Sequence, residues 1–383
     1  MRFFDAHCDT VLKTLDNGLD FVNGGKAHID LPRLSAAGGC VQLFAVFMAQ
    51  GIRPPDGDME GHAERALATI HGWVATAGGR LRLALTAADI RAACGQVTQG
   101  SWNGQQETAD TGQATDSTPY SLFPPPYGAV YALLGLEGAD CLGGRAENLV
   151  HYFQLGVRNV IPAWGDNAFS GAALGEGGPL TAEGARLVEQ CEALGVMVDV
   201  SHLSDSAFWQ IHAMARRPFI ASHSNCRALC PHSRNLTDEM IRAVAERGGV
   251  VGSTLAPEYL DPRYEAATRP LFRAERDELR GARGAADRQR IGKALDAALK
   301  SVTPGDGAWL ARHVVHAIQV GGEDAVGLGG DLDGVSALPT GMTGVESYPA
   351  LAGALLQAGL SESQVEKVCW RNMARVFGEV LPG

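Results

Sequence analysis

The sequence lacks the features that mark several classes of protein. None of its eight cysteines forms a Cys-x-x-Cys pair, and they are scattered along the chain. Scattered cysteines in a chain of this size are typical of reduced, partly buried thiols. Positive charge is scarce, with 32 Lys and Arg residues against 43 Asp and Glu residues and a formal net charge of -11. This balance argues against nucleic acid or an anionic membrane as a partner.

Signals for membranes and for secretion are also lacking. No apolar run approaches the roughly 20 residues of a membrane-spanning helix. The first strand-like segment begins at residue 2, which leaves no room for a signal peptide. We therefore expect a cytoplasmic protein with no membrane partner.

Two families of catalytic motif are absent as well. There is no Gly-x-Ser-x-Gly sequence around a nucleophilic serine. The glycine-rich segment 327–334 lacks the Lys-Ser/Thr pair of a phosphate-binding loop. Its glycines are better explained if they let the backbone and Asp331 approach a crowded site.

Continuous apolar runs are the main structural signal that is present. Runs of this kind, rich in Val, Ile, Leu and Phe, are typical of parallel strands buried on both faces. Helical patterns with capping residues lie between several of them, beginning at Thr181, at Ser204 or Asp205, and at Thr237 or Asp238. The alternation predicts an α/β fold, a (β/α)8 TIM barrel, with a doubly wound open sheet as the alternative. The predicted strands lie near 2–7, 40–47, 131–136, 157–162, 196–200, 218–222, 249–254 and 325–330.

We expect one barrel domain over residues 1–383 with two insertions. Residues 97–120 are polar and read as a surface loop, whereas residues 257–305 are dense in Arg, Asp, Glu and Ala. The second segment is expected to form charged helices whose charges face solvent. A lid over the site is the less favoured interpretation.

Metal-binding residue types follow the predicted strands. His7 and Asp9 are two residues apart on the first strand, so their side chains point the same way. In a barrel, residues that follow different strands meet at one rim. The residues that this rule adds are Glu137 after the third strand, His202 after the fifth, His223 after the sixth and Asp331 after the eighth.

This set fits two metal ions better than one, because a single catalytic zinc needs about three protein ligands. One site would use His7, Asp9 and Glu137, and the other would use Glu137, His202 and His223. Glu137 is the natural bridge between two ions that share a carboxylate. The other histidines read as structural, including the pair His313 and His316 on a predicted helix.

Six motifs resemble the membrane dipeptidase (renal dipeptidase-like, peptidase M19) family in their order along the chain. The resemblance implies a binuclear zinc hydrolase of the amidohydrolase type with a (β/α)8 barrel. It implies cleavage of the amide bond of small dipeptides, including dipeptides with a D-residue at the C-terminal position, by a hydroxide held between the metals. The motifs are DAHCDT at 5–10, GLEG at 135–138, VSH at 200–202, SHS at 222–224, SRNL at 233–236 and GGDLDG at 329–334.

The resemblance also assigns roles to single residues. His7, Asp9, Glu137, His202 and His223 look like the ligands of two zinc ions, with Glu137 bridging. Asp331 looks like the acid/base residue. Arg234 looks like the residue that binds the C-terminal carboxylate of the substrate, which suits a bidentate guanidinium group. Members of the family are often dimers, so a homodimer is implied.

The sequence departs from the family after the fourth strand. The family usually carries a histidine there that contacts the substrate or the oxyanion, and this chain carries Trp164. An indole N–H can donate a hydrogen bond but carries no positive charge. Either Trp164 substitutes as the donor, or Asn167 assists it, or the substrate range differs.

The alternatives to a dipeptidase are therefore a related binuclear amidohydrolase acting on another small amide or lactam, and a non-catalytic metal-binding relative. Cobalt or manganese could replace zinc in a mixed N/O site.

Overall fold

The fold is taken from a computed structural model that describes residues 1–50, 52–95, 128–282 and 284–383. The predicted insertion at 97–120 lies outside the described residues. The segment 257–305 is described except for residue 283. Secondary structure in the described part begins at Phe3 and ends at Val380.

Parallel strands form the centre of the fold. All eight predicted runs contain a strand, and one short strand, Leu81–Leu83, was not predicted. It pairs with the first half of the strand Val130–Glu137. The strands are β1 Phe3–Cys8, β2 Gly39–Phe47, β3 Leu81–Leu83, β4 Val130–Glu137, β5 Val157–Ile161, β6 Met197–Val198, β7 Ile220–Ala221, β8 Val250–Ser253 and β9 Val326–Leu328.

The strands are arranged as a nearly closed barrel. Their order is β6-β5-β4-β2-β1-β9-β8-β7, and all the named pairs are parallel. The two ends of this path meet where the N–H of Val200 donates to the carbonyl of Ile220 at 2.8 Å. The predicted (β/α)8 barrel is therefore confirmed, and the carboxyl ends of its strands face one rim.

Helices alternate with these strands, and the predicted capping residues are found. Thr181, Ser204 and Thr237 each accept a hydrogen bond from the backbone N–H three residues later, which satisfies the first turn of their helices. The helices are α1 Thr10–Asn17, α2 Leu31–Ala37, α3 Met59–Thr76, α4 Ala87–Ala93, α5 Leu149–Gln154, α6 Ala182–Leu194, α7 Asp205–Met214, α8 Asp238–Glu246, α9 Pro257–Leu260, α10 Pro262–Arg280, α11 Ala285–Leu299, α12 Ala308–Gly321, α13 Tyr348–Gln357, α14 Glu362–Glu366 and α15 Asn372–Val380.

The charged segment after β8 forms α9, α10 and α11, as predicted. The interpretation that its charges simply face solvent is wrong for one face of α10. Glu265 and Thr268 on that face are buried, and the face lines the cavity at the rim of the barrel. Its members recur at the three- and four-residue spacing of one helix face: Glu265, Thr268, Arg269, Phe272, Glu275 and Arg276.

Apolar side chains of the strands form the core, together with the inner faces of the surrounding helices. Phe4 on β1, for example, stacks on Phe377 of α15 with 5.3 Å between ring centroids. Across the described ranges, no helix combines the length and the apolar character that crossing a membrane requires.

Candidate active site

The site begins at the end of β1. The side chain of His7 is fully buried, and Asp9 is nearly so. His7 Nε2 lies 3.6 Å from Asp9 Oδ2 and 3.4 Å from Glu137 Oε2 at the end of β4. The prediction that the first strand brings an imidazole and a carboxylate to one point is confirmed by this geometry.

The two oxygens of Glu137 face different parts of the cluster. Oε2 faces His7, whereas Oε1 lies 2.9 Å from His202 Nε2 and 3.6 Å from His223 Nε2. His202 follows β6 and His223 follows β7. With His7 on β1, three strand ends therefore bring histidines to the one carboxylate of Glu137. Among the described residues, Glu137 alone has carboxylate oxygens within 4 Å of a ring nitrogen of each of the three histidines.

The two histidines opposite Glu137 are held neutral. Burial lowers the pKa of His202 well below its ordinary value, and the positive charge of Arg234 lowers it further. Burial likewise lowers the pKa of His223, assisted by the neighbouring His7. Their Nε2 atoms lie 2.8 Å apart. Two neutral imidazoles that converge in this way present lone pairs to a common point, which is what a metal ion requires.

His7 differs from the other two. Burial lowers its pKa, but the charges of Glu137 and Asp9 outweigh this effect and hold the pKa well above its ordinary value. Burial also raises the pKa of Glu137 itself, and the nearby charge of Asp9 adds to this effect. A cation would relieve the repulsion between these buried acids.

Asp199 organises the two neutral histidines, although sequence reasoning assigned it no role. Its Oδ1 accepts hydrogen bonds from the N–H of Ser201 and from the N–H of Ser222, both at 3.0 Å. The hydroxyl of Ser222 also lies 2.8 Å from His223 Nδ1, which turns Nε2 toward Glu137. Fixing the outer ring nitrogen in this way sets the tautomer and orientation of a ligating histidine.

Asp5 plays a similar part beneath His7 and was also missed. One carboxylate oxygen accepts from the N–H of Gly330 at 2.8 Å, and the other accepts from the Tyr348 hydroxyl at 2.5 Å. The N–H of His7 donates to Asp5 as well, at 3.2 Å. Asp5 therefore joins β1 to the loop that carries Asp331.

Asp331 reaches the cluster from the end of β9. Its Oδ1 lies 3.9 Å from His7 Nε2. Burial raises the pKa of Asp331 well above its ordinary value, His7 opposes the shift, and the charges of Asp9 and Glu137 add to it. The carboxyl group is therefore able to hold a proton, which an acid/base residue must do.

The backbone at this loop is unusual. Asp331, Asp333 and His202 are the non-glycine residues with positive φ in the described part of the chain, at 57°, 68° and 70°. Such conformations are costly for residues with a Cβ and concentrate at functional sites. Asp333 stabilises the loop by accepting from Thr10 Oγ1 at 2.7 Å and from the N–H of His28 at 2.8 Å.

Gly334 allows this loop to approach the metal cluster. A Cβ at this position would overlap the carboxylate oxygens of Asp9 and Asp331. The expectation that the glycines of segment 327–334 permit close packing at the site is confirmed here. Glycine is thus favoured at this position because a larger residue would displace the two carboxylates.

Arg234 is buried beside the histidines, with 2% of its surface exposed. One guanidinium nitrogen of Arg234 donates to the carbonyl of His223 at 3.0 Å, and the Arg234 Nε has no hydrogen-bond partner among the described residues. The guanidinium carbon lies 5.4 Å from the ring centroid of Tyr259, which sequence reasoning missed. A buried guanidinium with a free N–H is suited to bind a carboxylate.

Trp164 and Asn167 occupy different environments. Trp164 lines the cavity, and its ring centroid lies 5.6 Å from that of His202 and 5.0 Å from that of Phe47. Asn167 is not among the cavity-lining residues. Its amide nitrogen donates to Asp140 and to the carbonyl of Pro162, both at 3.0 Å, and these bonds stabilise the loop after β5. Its contact with substrate stays a prediction.

A cavity of about 520 Å³ opens over the cluster. Asp9, Glu137, His202 and Asp331 line its floor. One face of α10 closes one side, and α1 contributes Lys13 and Asp16. The volume lies within the usual range of small-molecule sites.

The described histidines outside the cluster are largely accounted for by structural contacts. His313 Nδ1 accepts from the N–H of Cys226 at 3.0 Å, and His316 lies 2.8 Å from Asp238. His232 is an exception, because it lines the cavity and accepts a hydrogen bond from the N–H of Arg234 at 3.1 Å. Burial and the charge of Arg234 lower its pKa to about 4, so the ring is neutral.

The donor set fits bound metal ions. Among the described residues, His7 Nε2 and Asp9 Oδ1 are buried without a hydrogen-bond partner. Two groups of three residues bring their ligand atoms within 4.8 Å of one another, and both include His7. Neutral imidazoles mixed with carboxylates are the ligands of zinc and related divalent ions. The groups are His7, Glu137 and His223, and His7, Asp9 and Asp331.

Comparison with known proteins gives a consistent result. Residues 126–381 match the family model described as membrane dipeptidase (peptidase family M19). This range includes Glu137, His202, His223 and Asp331 but not His7 and Asp9. The chain is 31% identical over 257 residues to Dipeptidase aclJ of Aspergillus oryzae, and the alignment covers 66% of this chain and 52% of that protein. The chain thus spans about half the length of that relative.

Solved structures extend the likeness over almost the whole chain. The structure of the dipeptidase AC, a metallopeptidase of family M19, is similar with a TM-score of 0.74 and 25% identity, covering 100% of this chain and 99% of that chain. A metallopeptidase from Rhodobacter sphaeroides, bound to a phosphinate mimic of the dipeptide L-Ala-D-Ala, has a TM-score of 0.75 at 24% identity, with 99% of each chain covered. The second likeness shows the shared fold.

Proposed function

Because this chain belongs to the membrane dipeptidase family, peptidase family M19, and is a metallo-dipeptidase, we propose that it hydrolyses small dipeptides with two zinc ions bound at Glu137. His7 and Asp9 would hold one ion, and His202 and His223 would hold the other. The ions would supply a polarised amide carbonyl and water with a pKa lowered toward neutrality.

One observation carries this proposal. The two oxygens of Glu137 face opposite halves of the cluster, with His7 at 3.4 Å from one and His202 at 2.9 Å from the other. A carboxylate placed in this way can serve two ions at once. A site for one ion would not need donors on both sides of it.

Asp331 would move the proton. Its raised pKa and its position beside His7 support a role in which it accepts a proton from the attacking water and passes it to the leaving amine. Removal of the proton and protonation of the amine are both needed to break an amide bond. A single buried carboxyl group beside the cluster can perform the two steps in turn.

Arg234 would fix the far end of the substrate. Its free Nε and its burial favour a carboxylate as the partner, because a charged group left unpaired in the interior is costly. Only a dipeptide carries its C-terminal carboxylate on the second residue. An arginine placed to bind a carboxylate there would therefore select dipeptides over longer peptides. The size of the cavity supports the same selection.

Trp164 would take the place of the family's usual histidine. Its ring lines the cavity 5.6 Å from that of His202, and its indole N–H would serve as a neutral donor to the developing oxyanion. This substitution is also the reason to test a second candidate function, hydrolysis of another small amide or lactam by the same metal centre. A homodimer and a cytoplasmic location stay predictions.

The test combines metal analysis with substrate assays. We expect about two zinc ions per chain and hydrolysis of L-Ala-L-Ala or L-Ala-D-Ala that is lost on chelation and restored by zinc. The D-residue is included because a related fold binds a mimic of L-Ala-D-Ala. The control is Glu137→Gln, which should lose metal. Two zinc ions with no hydrolysis of any dipeptide in a library would contradict the dipeptidase proposal and favour the amide or lactam alternative.

A further inference from the structure

The wall of the cavity carries more carboxylates than the metal cluster uses. Two of them are neutralised by arginines on the same wall. Asp16 on α1 pairs with Arg53 at 2.9 Å, and Glu265 on α10 pairs with Arg269, with 2.6 Å between an oxygen and a guanidinium nitrogen. These pairs leave two cavity-lining glutamates, Glu258 and Glu275, for which the described residues supply no ion pair.

Glu258 is the more confined of the two. It lies in α9, directly after the barrel strand β8. Its side chain accepts one long hydrogen bond from another side chain, from Ser336 Oγ to Oε2 at 3.4 Å. Burial raises its pKa above the ordinary value, whereas a backbone hydrogen bond, the Ser336 hydroxyl and the charge of Arg234 lower it. A carboxylate in a confined cavity with so few partners is a favourable place for a cationic ligand, because pairing offsets the cost of burying the charge.

The position of Glu258 connects it to the reacting groups. Its neighbour Tyr259 lies against Arg234. Burial is the main cause of the raised pKa of Asp331, and the charge of Glu258 is among those that raise it further. Glu258 thus lines the same cavity as Asp331, and its neighbour Tyr259 lies against Arg234, the residue for the substrate carboxylate.

Glu275 has different surroundings. Burial raises its pKa, and the other charges that act on it are those of Asp296 on α11 and Arg276 on α10. Neither Asp331 nor Arg234 is among the charges that act on it. Glu275 thus offers a matched control, a second cavity carboxylate with different charged neighbours.

We propose that Glu258 binds an ammonium group of the substrate. This inference rests on the proposed dipeptidase function and deepens it. Arg234 and Glu258 bind groups of opposite charge, so the cavity selects a zwitterionic or basic dipeptide. The ammonium group is either the α-ammonium of the first residue or the side-chain ammonium of a lysine.

The experiment compares the zinc-loaded wild type with Glu258→Gln and Glu275→Gln on three probes. Ala-Lys carries both ammonium groups, Ala-norleucine has only the α-ammonium, and propionyl-norleucine has neither. Glutamine keeps the size of the side chain and its ability to accept from Ser336. Zinc content and melting temperature, measured for each variant, show that the fold and the metal centre are retained.

Glu258→Gln is expected to raise KM about tenfold or more for the probe whose ammonium it binds, with kcat little changed. If KM rises for Ala-Lys alone, the group bound by Glu258 is the side-chain ammonium of lysine. If KM rises for both Ala-Lys and Ala-norleucine, and the variant no longer discriminates against propionyl-norleucine, the group is the α-ammonium. Unchanged KM for both dipeptides, a change in kcat alone, or an equal effect of Glu275→Gln overturns the inference. If the wild type cleaves neither dipeptide nor any other, the proposed function itself fails.

Discussion

The carboxylate of Asp199 accepts a hydrogen bond from the backbone N–H of Ser222 at 3.0 Å, across the join between β6 and β7. The same oxygen accepts from the N–H of Ser201 at the same distance. One buried atom therefore fixes the residues directly before His202 and His223. The spacing of these two histidines depends on a residue that lies outside the metal cluster.

Removing this support should weaken metal binding. We expect Asp199→Ala to lower zinc affinity roughly 10- to 100-fold, because the residues that orient ligating histidines have effects of this size. Titration of the metal-free protein with zinc measures the change. Asp324→Ala, at an exposed position, is the control and should bind zinc as the wild type does. Equal affinity of the Asp199 variant would contradict the role given to Asp199.

A methyl group at Gly334 should displace the carboxylates of Asp9 and Asp331. Since the added Cβ would overlap the carboxylates of Asp9 and Asp331, Gly334→Ala should cost about 1–3 kcal/mol of stability and reduce zinc occupancy. Thermal unfolding and metal analysis measure the two effects. Gly353→Ala is the matched control, because its Cβ would meet nothing within 4 Å, and alanine in the helix α13 should stabilise by up to about 1 kcal/mol. Indistinguishable behaviour of the two variants would show that the loop adapts.

Asp331→Asn should separate chemistry from metal binding. Asparagine keeps the shape of the side chain but cannot carry the proton, so kcat should fall about 10²- to 10⁴-fold. Zinc content should be unchanged, because the proposal gives both ions their ligands from other residues and asparagine keeps an oxygen beside His7 and Asp9. Steady-state kinetics and metal analysis on the same preparation provide both readouts. An active variant would remove Asp331 from the mechanism.

Trp164→Phe tests whether the indole N–H acts as a donor. Phenylalanine retains an aromatic ring beside Phe47 and His202 but has no N–H. If the indole stabilises the oxyanion, kcat should fall roughly 10²-fold, the usual effect of losing one such donor, while KM changes little. Trp164→His restores a donor and should recover most of the rate. Trp209→Phe, at an exposed position on α7, is the control, and equal kcat values for the two phenylalanine variants would assign Trp164 to shape alone.

The strands and the metal cluster were accessible from the sequence for the same reason. Buried parallel strands leave long apolar runs, and a parallel barrel brings the residues after those runs to one rim. His7, Glu137 and His223 could therefore be placed together without any knowledge of contacts. The strand β3 escaped notice because Leu81–Leu83 is only three residues long and gives no run to detect.

Other features depend on pairing between distant parts of the chain. Asp5 lies within β1 and Asp199 directly after β6, and their importance comes from neighbours that lie far away in the sequence or across a strand boundary. The face of α10 was misjudged because its charges match those of a solvated helix, whereas Glu265 is buried at the wall of the cavity. A charge pattern along a helix does not reveal what the helix packs against.

The size of the cavity that α10 helps to line limits which molecules can reach the site. A hydrolase with an open cleft endangers every protein around it and is commonly restrained by a pro-segment or an inhibitor. A cavity of about 520 Å³ cannot admit a folded polypeptide. The dimensions of the cavity would therefore keep the proposed metal centre out of reach of folded proteins.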